Sequence, residues 1–205
     1  MRCVNCGAFS LRTICAACAA NLAECRLSMR QVEGFSVFYY YGYSEIRELI
    51  LSKHHEYGAA VLARIASLSL AKFPLHLQRE ISANPQNYEM FKTDGIFKFN
   101  AVPLDDDARS GYSHTAILAR ALKSELIEPK FHCLRAQNRV KYTGQSLEFR
   151  LKHKRNFKIL TPPKFPVILV DDIITSGLSM LQARESLIDG GFMPVCGLVL
   201  ANAKE

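Results

Sequence analysis

Two groups of residues in this 205-residue chain have the types and spacing to do chemistry. The first lies in Phe165 to Met180, FPVILVDDIITSGLSM. Its apolar run, Val167-Ile168-Leu169-Val170, is rich in β-branched residues and follows Pro166, which suits a strand buried on both faces. The adjacent carboxylates Asp171 and Asp172 are expected at the end of that strand. Ile173, Ile174, Thr175, Ser176, Gly177, Leu178 and Ser179 come next, with a helix expected as far as Leu187 or Ile188. A strand, a hydroxyl-and-glycine loop and a helix N-terminus together form an anion cradle. Loop N–H groups and the helix dipole converge on a phosphate, and Gly177 lets the backbone approach closely. Carboxylates do not bind phosphate. They accept sugar hydroxyls, or hold a Mg²⁺ that accompanies phosphates. The stretch reads as a site for a ribose 5-phosphate group. Two plainer readings compete: a buried strand with an ordinary capped helix, and a Walker B strand. The second lacks its companion, because no G-x-x-x-x-G-K-[ST] occurs in the chain.

The second group is N-terminal. Cys3, Cys6, Cys15 and Cys18 form a C-x₂-C-x₈-C-x₂-C pattern. Two such clamps offer four thiolates in tetrahedral geometry, the ligand set of a structural Zn²⁺, and Gly7 permits the tight turn after the first clamp. A closed four-thiolate site has no open position for a substrate, so its expected job is folding. The alternative, two redox-active pairs, lacks a surrounding βαβ pattern. Cys25, Cys133 and Cys196 read as incidental or buried thiols.

The elements that must position these residues follow from pattern. Phe35 to Tyr43 is an aromatic strand, expected to pack in the core rather than to stack on bases. A helix is expected from an N-cap at Ser44 through Ile46, Leu49 and Ile50, and another over Gly58 to Ala71. Lys53-His54-His55-Glu56 between them reads as a solvated helix end, since adjacent histidines cannot share a helix face. Residues 74 to 93 read as a polar, irregular excursion. A strand is expected over Gly95 to Leu104, then the acidic triplet Asp105-Asp106-Asp107, with a solvated loop or a Mg²⁺ contact as its alternatives. A helix over Thr115 to Leu126 and a last buried strand over Pro194 to Leu200 complete the chain. The fold class is α/β, with a mostly parallel central sheet flanked by helices and a small cysteine knuckle. The expected division is 1–30 for the knuckle and 31–205 for the main domain.

Composition places the chain among ordinary globular proteins, with 49% apolar and 22% charged residues. There is no run of 18 apolar residues, and cysteines stand where a signal peptide would need a hydrophobic stretch. A cytoplasmic protein that is not itself a membrane protein is expected. Net charge is +7, and it is unevenly placed. Residues 135 to 164 hold nine Lys/Arg against the single acid Glu148, so the rest of the chain is close to neutral. Such concentration is an electrostatic footprint for phosphates. Nine charges exceed what one small ligand needs, which favours a nucleic-acid backbone, with Arg139, Lys141, Arg150, Lys152, Lys154 and Arg155 as contacts. Tyr142, Phe149 and Phe157 could stack on bases. The plain alternative is a solvated basic face.

VILVDDIITSGLS resembles the ribose-phosphate loop of type I phosphoribosyltransferases, which bind phosphoribosyl pyrophosphate (PRPP). The resemblance implies that Asp171 and Asp172 hold the ribose hydroxyls while Thr175, Ser176, Gly177 and Ser179 hold the 5-phosphate. Ser176 and Ser179 stand where that family usually has threonines. Val102-Pro103-Leu104, a short loop, then Arg109-Ser110-Gly111-Tyr112 ahead of the Leu118-Ala119-Arg120-Ala121-Leu122-Lys123 helix resembles the ComF family of bacterial competence proteins. The four-cysteine knuckle and the basic segment ahead of the twin acids are similar to that family too. The family's basic residues after VPL and its Arg-Gly-Phe-Asn-Gln run are replaced here by DDDA and by Arg109 to His114. Thr143, Gln145, Arg155 and Asn156 loosely resemble its closing loop. The resemblance implies a type I phosphoribosyltransferase-like fold and a role in natural transformation. It further implies binding of single-stranded DNA and of PRPP, the latter with Mg²⁺, alongside other DNA-uptake proteins at the inner membrane. Active phosphoribosyl transfer to a nucleobase or nucleotide precursor, or PRPP sensing, is the alternative.

Overall fold

The computed structural model describes residues 1–104, 107–108, 111–138 and 155–204. Helix α1 (Ala16–Ala23) ends the knuckle, and a hairpin follows, β1 (Ser28–Val32) and β2 (Phe35–Gly42). Glu33 and Gly34 turn it with φ of 47° and 75°, the backbone of a tight two-residue hairpin loop. Strand β1 crosses residue 30 and pairs throughout with β2, so the main sheet begins inside the stretch expected for the knuckle. Helices α2 (Tyr43–Leu51), α3 (Gly58–Leu68), α4 (Phe73–Ala83) and α5 (Pro85–Tyr88) come next. A short hairpin, β3 (Lys92–Thr93) and β4 (Ile96–Phe97), precedes β5 (Phe99–Pro103), α6 (His114–Arg120) and β6 (Ile127–Pro129). A ribbon of β7 (Leu134–Ala136) and β8 (Phe157–Ile159) leads to β9 (Val167–Ile174), α7 (Leu178–Asp189) and β10 (Pro194–Asn202).

The central sheet has six strands in the order β1-β2-β10-β9-β5-β6. Only β1 runs antiparallel; the other pairings are parallel. This is a mostly parallel α/β sheet, covered on both faces as such sheets must be. Ile168, Val170, Leu198 and Leu200 pack with α1 to α4 and α6 on one face. Val167, Leu169, Val102 and Val199 pack with α7 and the β7–β8 ribbon on the other. The knuckle contributes Ile14, Cys18 and Leu22 to the first of these cores.

Several expectations shift for local reasons. Residues 74 to 93 are largely helical, because Phe73, Leu77 and Ile81 recur every four residues and bury one stripe behind Pro74 at the helix start. The N-cap expected at Ser44 falls two residues earlier, at Gly42, whose N–H donates to the Glu45 carboxylate at 2.9 Å. The helix expected to reach Leu126 ends at Arg120; Ala121 and Leu122 close tighter three-residue turns instead. The aromatic strand packs as expected, with Phe35, Val37, Tyr40 and Tyr41 buried. Phe157, expected as a base-stacking residue, is buried in β8 against α7 and serves the core. Among the described residues, one helical run, 58–83, is long and apolar enough by composition to cross a membrane. Its Val61, Leu62, Ile65, Leu70 and Phe73 are fully buried, as in the core helix of a globular protein.

Candidate functional site

Strand β9 does not stop at the twin acids. Asp171 pairs with Val199, Ile173 with Ala201 and Ile174 with Asn202 of β10, so both carboxylates project from within the strand. Successive strand residues face opposite sides of a sheet. Asp172, 4% exposed, lies on the side of α6 and meets the Lys53 ammonium in an ion pair. His114 Nε2 stands 4.0 Å from the same Asp172 oxygen. The half-buried Asp171 lies on the other side, near enough to Arg155 for that charge to favour its carboxylate. Asp171 Oδ1 accepts the Asp172 N–H at 2.9 Å.

The environments separate the two acids. For Asp172, burial opposes ionisation, but Lys53 and then His114 hold it below the usual carboxylate range. For Asp171, burial and the neighbouring Asp172 charge push the carboxyl up to about 7, outweighing Arg155 and Lys53. Asp172 is therefore a fixed anion, and Asp171 is poised to hold or release a proton near neutrality.

Lys53 occupies a single 3₁₀ turn after α2, not a solvated helix end, while His54 and His55 beside it are exposed as expected. Its carbonyl accepts the Tyr112 hydroxyl at 2.8 Å, which ties the α2–α3 connection to the start of α6. Gly58 makes room for this bond. A Cβ there would lie 2.4 Å from the Tyr112 hydroxyl and 2.1 Å from the Ser52 carbonyl oxygen. Burial disfavours the Lys53 ammonium, but the Asp172 charge outweighs it and raises the group above an ordinary lysine. Ser113 caps α6 by accepting the Ala116 N–H at 3.1 Å, and this sets His114 toward Asp172.

The loop after β9 is held from outside. Arg30 of β1 donates to the Thr175 carbonyl at 2.9 Å and to Asn202 Oδ1 at 3.1 Å. Gly177 takes φ +87° as the N-cap of α7, and a Cβ on it would approach Val32 Cγ1 to 2.5 Å. No other residue fits that turn without displacing β1 or the loop. Thr175 is exposed, and Ser176 and Ser179 are half-buried at the start of a 12-residue helix whose first N–H groups have no intrahelical acceptor.

Topology places this loop at a switch point. From β5 the chain passes through α6 to β6; from the adjacent β9 it passes through α7 to β10, on the opposite side. The carboxyl ends of two such diverging strands flank the crevice in which open α/β sheets bind ligands. The β7–β8 ribbon stands beside the crevice, its pairing extended by Gln137 and Asn138 donating to the Asn156 and Arg155 carbonyls. The ribbon thus carries the ends of the basic segment to the Asp171 side. Of the six cations expected to contact nucleic acid, Arg155 lies here; Arg139, Lys141, Arg150, Lys152 and Lys154 lie outside the described residues. So do Tyr142, Phe149, Thr143 and Gln145. Asp105 and Asp106 lie outside them as well, while Asp107 faces Arg135 at 3.7 Å.

At the N-terminus the sulfurs of Cys3, Cys6, Cys15 and Cys18 lie within 4.8 Å of one another. Cys6 and Cys15 are 3.8 Å apart, the spacing that Zn–S bonds of about 2.3 Å give in a tetrahedron. Backbone bonds preform the clamp: Gly7 N–H to the Cys3 carbonyl at 2.9 Å, and Cys15 N–H to Cys3 Sγ at 3.2 Å. Burial opposes ionisation of Cys3, but backbone N–H donors, Cys15 first, bring it down to about 6. At Cys18 the Asn5 side chain favours the thiolate, yet burial and the three other cysteines push it up to about 12. A thiol set of this kind calls for a cation at its centre, and the four cysteines can bind a metal. Cys133 and Cys196 are buried, and burial lifts Cys196 to about 12.

Lys53 and Arg30 complete the crevice without any signal in their local sequence, because Lys53 lies 119 residues from Asp172 and Arg30 lies 145 from Thr175. His114 was legible only as a polar residue ahead of a helix. Comparison with protein-family models and with curated proteins returns no match.

Proposed function

We propose that this chain binds a phosphoribosyl ligand, PRPP or a close relative, in the crevice between β5 and β9. The phosphate sits on Thr175, Ser176, Gly177 and Ser179, and the ribose on the twin-acid side, within a type I phosphoribosyltransferase-like fold. The observation that supports this most directly is the placement of a Gly177-capped helix and two carboxylates together at a topological switch point. Mg²⁺ enters with the pyrophosphate of PRPP. The knuckle cysteines Cys3, Cys6, Cys15 and Cys18 hold Zn²⁺, which supplies folding energy and no chemistry.

The cellular role we infer is that of a ComF-type competence protein, cytoplasmic and acting with DNA-uptake proteins at the inner membrane. Its basic segment tracks single-stranded DNA beside the ligand crevice. Calorimetry tests the ligand: Ser176→Ala with Ser179→Ala is expected to weaken PRPP binding at least about tenfold, since each hydroxyl removed takes with it a bond to a charged group. Unchanged affinity would refute the assignment. For DNA, Lys152→Ala with Lys154→Ala is expected to lower the salt slope of single-strand affinity by roughly one for each phosphate no longer neutralised. Phosphoribosyl transfer is the second reading, favoured by Asp171, a carboxyl near neutrality that could take a proton from an acceptor. Pyrophosphate release with a panel of bases decides between transfer and binding or sensing.

A further inference from the structure

The twin acids already have a cation. Lys53 reaches Asp172 from the α2–α3 connection, where the Tyr112 hydroxyl fixes its backbone and Gly58 leaves space for that hydroxyl. Its side chain is 20% exposed and that of Asp172 5%, so the pair is largely removed from water. Asp171, Asp172 and His114 otherwise bring three ligand atoms within 4.8 Å of one another, a set that could take a divalent ion. The ammonium lies on Asp172 Oδ2, and His114 faces the same oxygen. An ion entering the cluster would meet a positive charge in hydrogen-bond contact with its principal ligand.

We propose that Lys53 is the resident counter-ion of this site, holding Asp172 so that the acids take no divalent metal and Asp171 alone is left to accept the sugar hydroxyls. The ligand half of this proposal rests on the phosphoribosyl reading above; the exclusion of a metal from the acids does not. Lys53 is a positioning residue, since it acts through Asp172. Of the two roles open to the acids, sugar acceptor or metal holder, this selects the first. Any Mg²⁺ that arrives with a pyrophosphate is then held by the ligand's own oxygens.

Two probes test it on the full-length, metal-loaded chain. Mn²⁺ alone, followed by the loss of its free-ion EPR signal, is expected to show no uptake by the wild type or by Lys53→Arg, which keeps the charge. Lys53→Met is expected to bind Mn²⁺ about tenfold or more tightly, with the gain abolished on adding Asp172→Asn. Wild-type uptake that Asp172→Asn abolishes would overturn the proposal, as would Lys53→Met behaving like the wild type. Ribose 5-phosphate, which carries no pyrophosphate to chelate a metal, is expected to bind the wild type within about twofold without added divalent ion and in Mg²⁺, both buffers free of chelator so that the cysteine knuckle keeps its metal. Lys53→Met is expected to bind it about tenfold more weakly without added divalent ion, and Lys53→Arg to restore most of the affinity. Binding by the wild type only in Mg²⁺ overturns the role given to Lys53 and leaves the phosphoribosyl reading standing. Binding in neither buffer, with the Mn²⁺ results as expected, removes that reading and leaves the counter-ion assignment. The wild-type measurements in both arms stand even if Lys53→Met fails to fold.

Discussion

At Asp172 the controlling quantity is one buried positive charge. Lys53→Met leaves the carboxylate in the interior without its cation, a change expected to destabilise the fold by about 3–5 kcal/mol. Lys53→Met with Asp172→Asn removes both charges and is expected to recover most of that stability in urea unfolding. Asp171 works in the opposite sense. Its folded carboxyl is raised to about 7 from 3.8, so the folded state resists an ionisation that the unfolded chain undergoes freely. Wild-type stability is therefore drawn down by this group as pH climbs from 4 to 7, and the penalty is constant above that. Asp171→Asn is expected to change the melting temperature little at pH 4 and to raise it progressively up to pH 7, by roughly 2–4 °C per kcal/mol relieved. A flat difference across that range would show that Asp171 is not held neutral by its surroundings. Asp172, held below its ordinary range, contributes stability above the unfolded value, which is lost as pH falls.

Among the elements, the turn from β9 into α7 is the most tightly specified. Its left-handed Gly177 is packed on Val32, so Gly177→Ala meets both backbone strain and a methyl collision. About 2 kcal/mol of stability is expected to be lost, with weakened PRPP binding in the same calorimetric assay. Adding Val32→Ala relieves the collision but leaves the φ, so only partial recovery is expected. A full recovery would show that packing, not backbone strain, makes glycine necessary here. Strand β1 has a second task in the same place, since Arg30 ties the Thr175 carbonyl to Asn202. A polar edge strand, SMRQV, thus supports the phosphate loop. Nothing in its composition announces a strand, because only Val32 of its five residues is buried.

For the molecule as a whole, the knuckle is part of the core rather than an appendage. Ile14, Cys18 and Leu22 pack in one cluster with Val61, Leu62 and Ile65 of α3. Stripping the proposed zinc with a chelator is expected to lower the melting temperature of the entire chain by about 5–10 °C and to remove hydrogen-exchange protection from α3 as well as α1. An effect confined to α1 would mean that the knuckle folds by itself. The cysteine pattern, the buried strand at Val167 and the loop hydroxyls were readable from the chain, because each depends on neighbours within a few residues. So was the alternation of strands and helices that makes an α/β sheet. The divergence of the twin acids onto opposite faces was not, since β9 continues past them only because β10 supplies partners as far as Asn202. Lys53 was equally hidden. A charge among histidines at a helix end looks solvated until the sheet brings Asp172 beneath it, across 119 residues. Local chemistry determined which residues could act; long-range packing decided which charges face each other, and with them which acid is fixed and which is left to titrate.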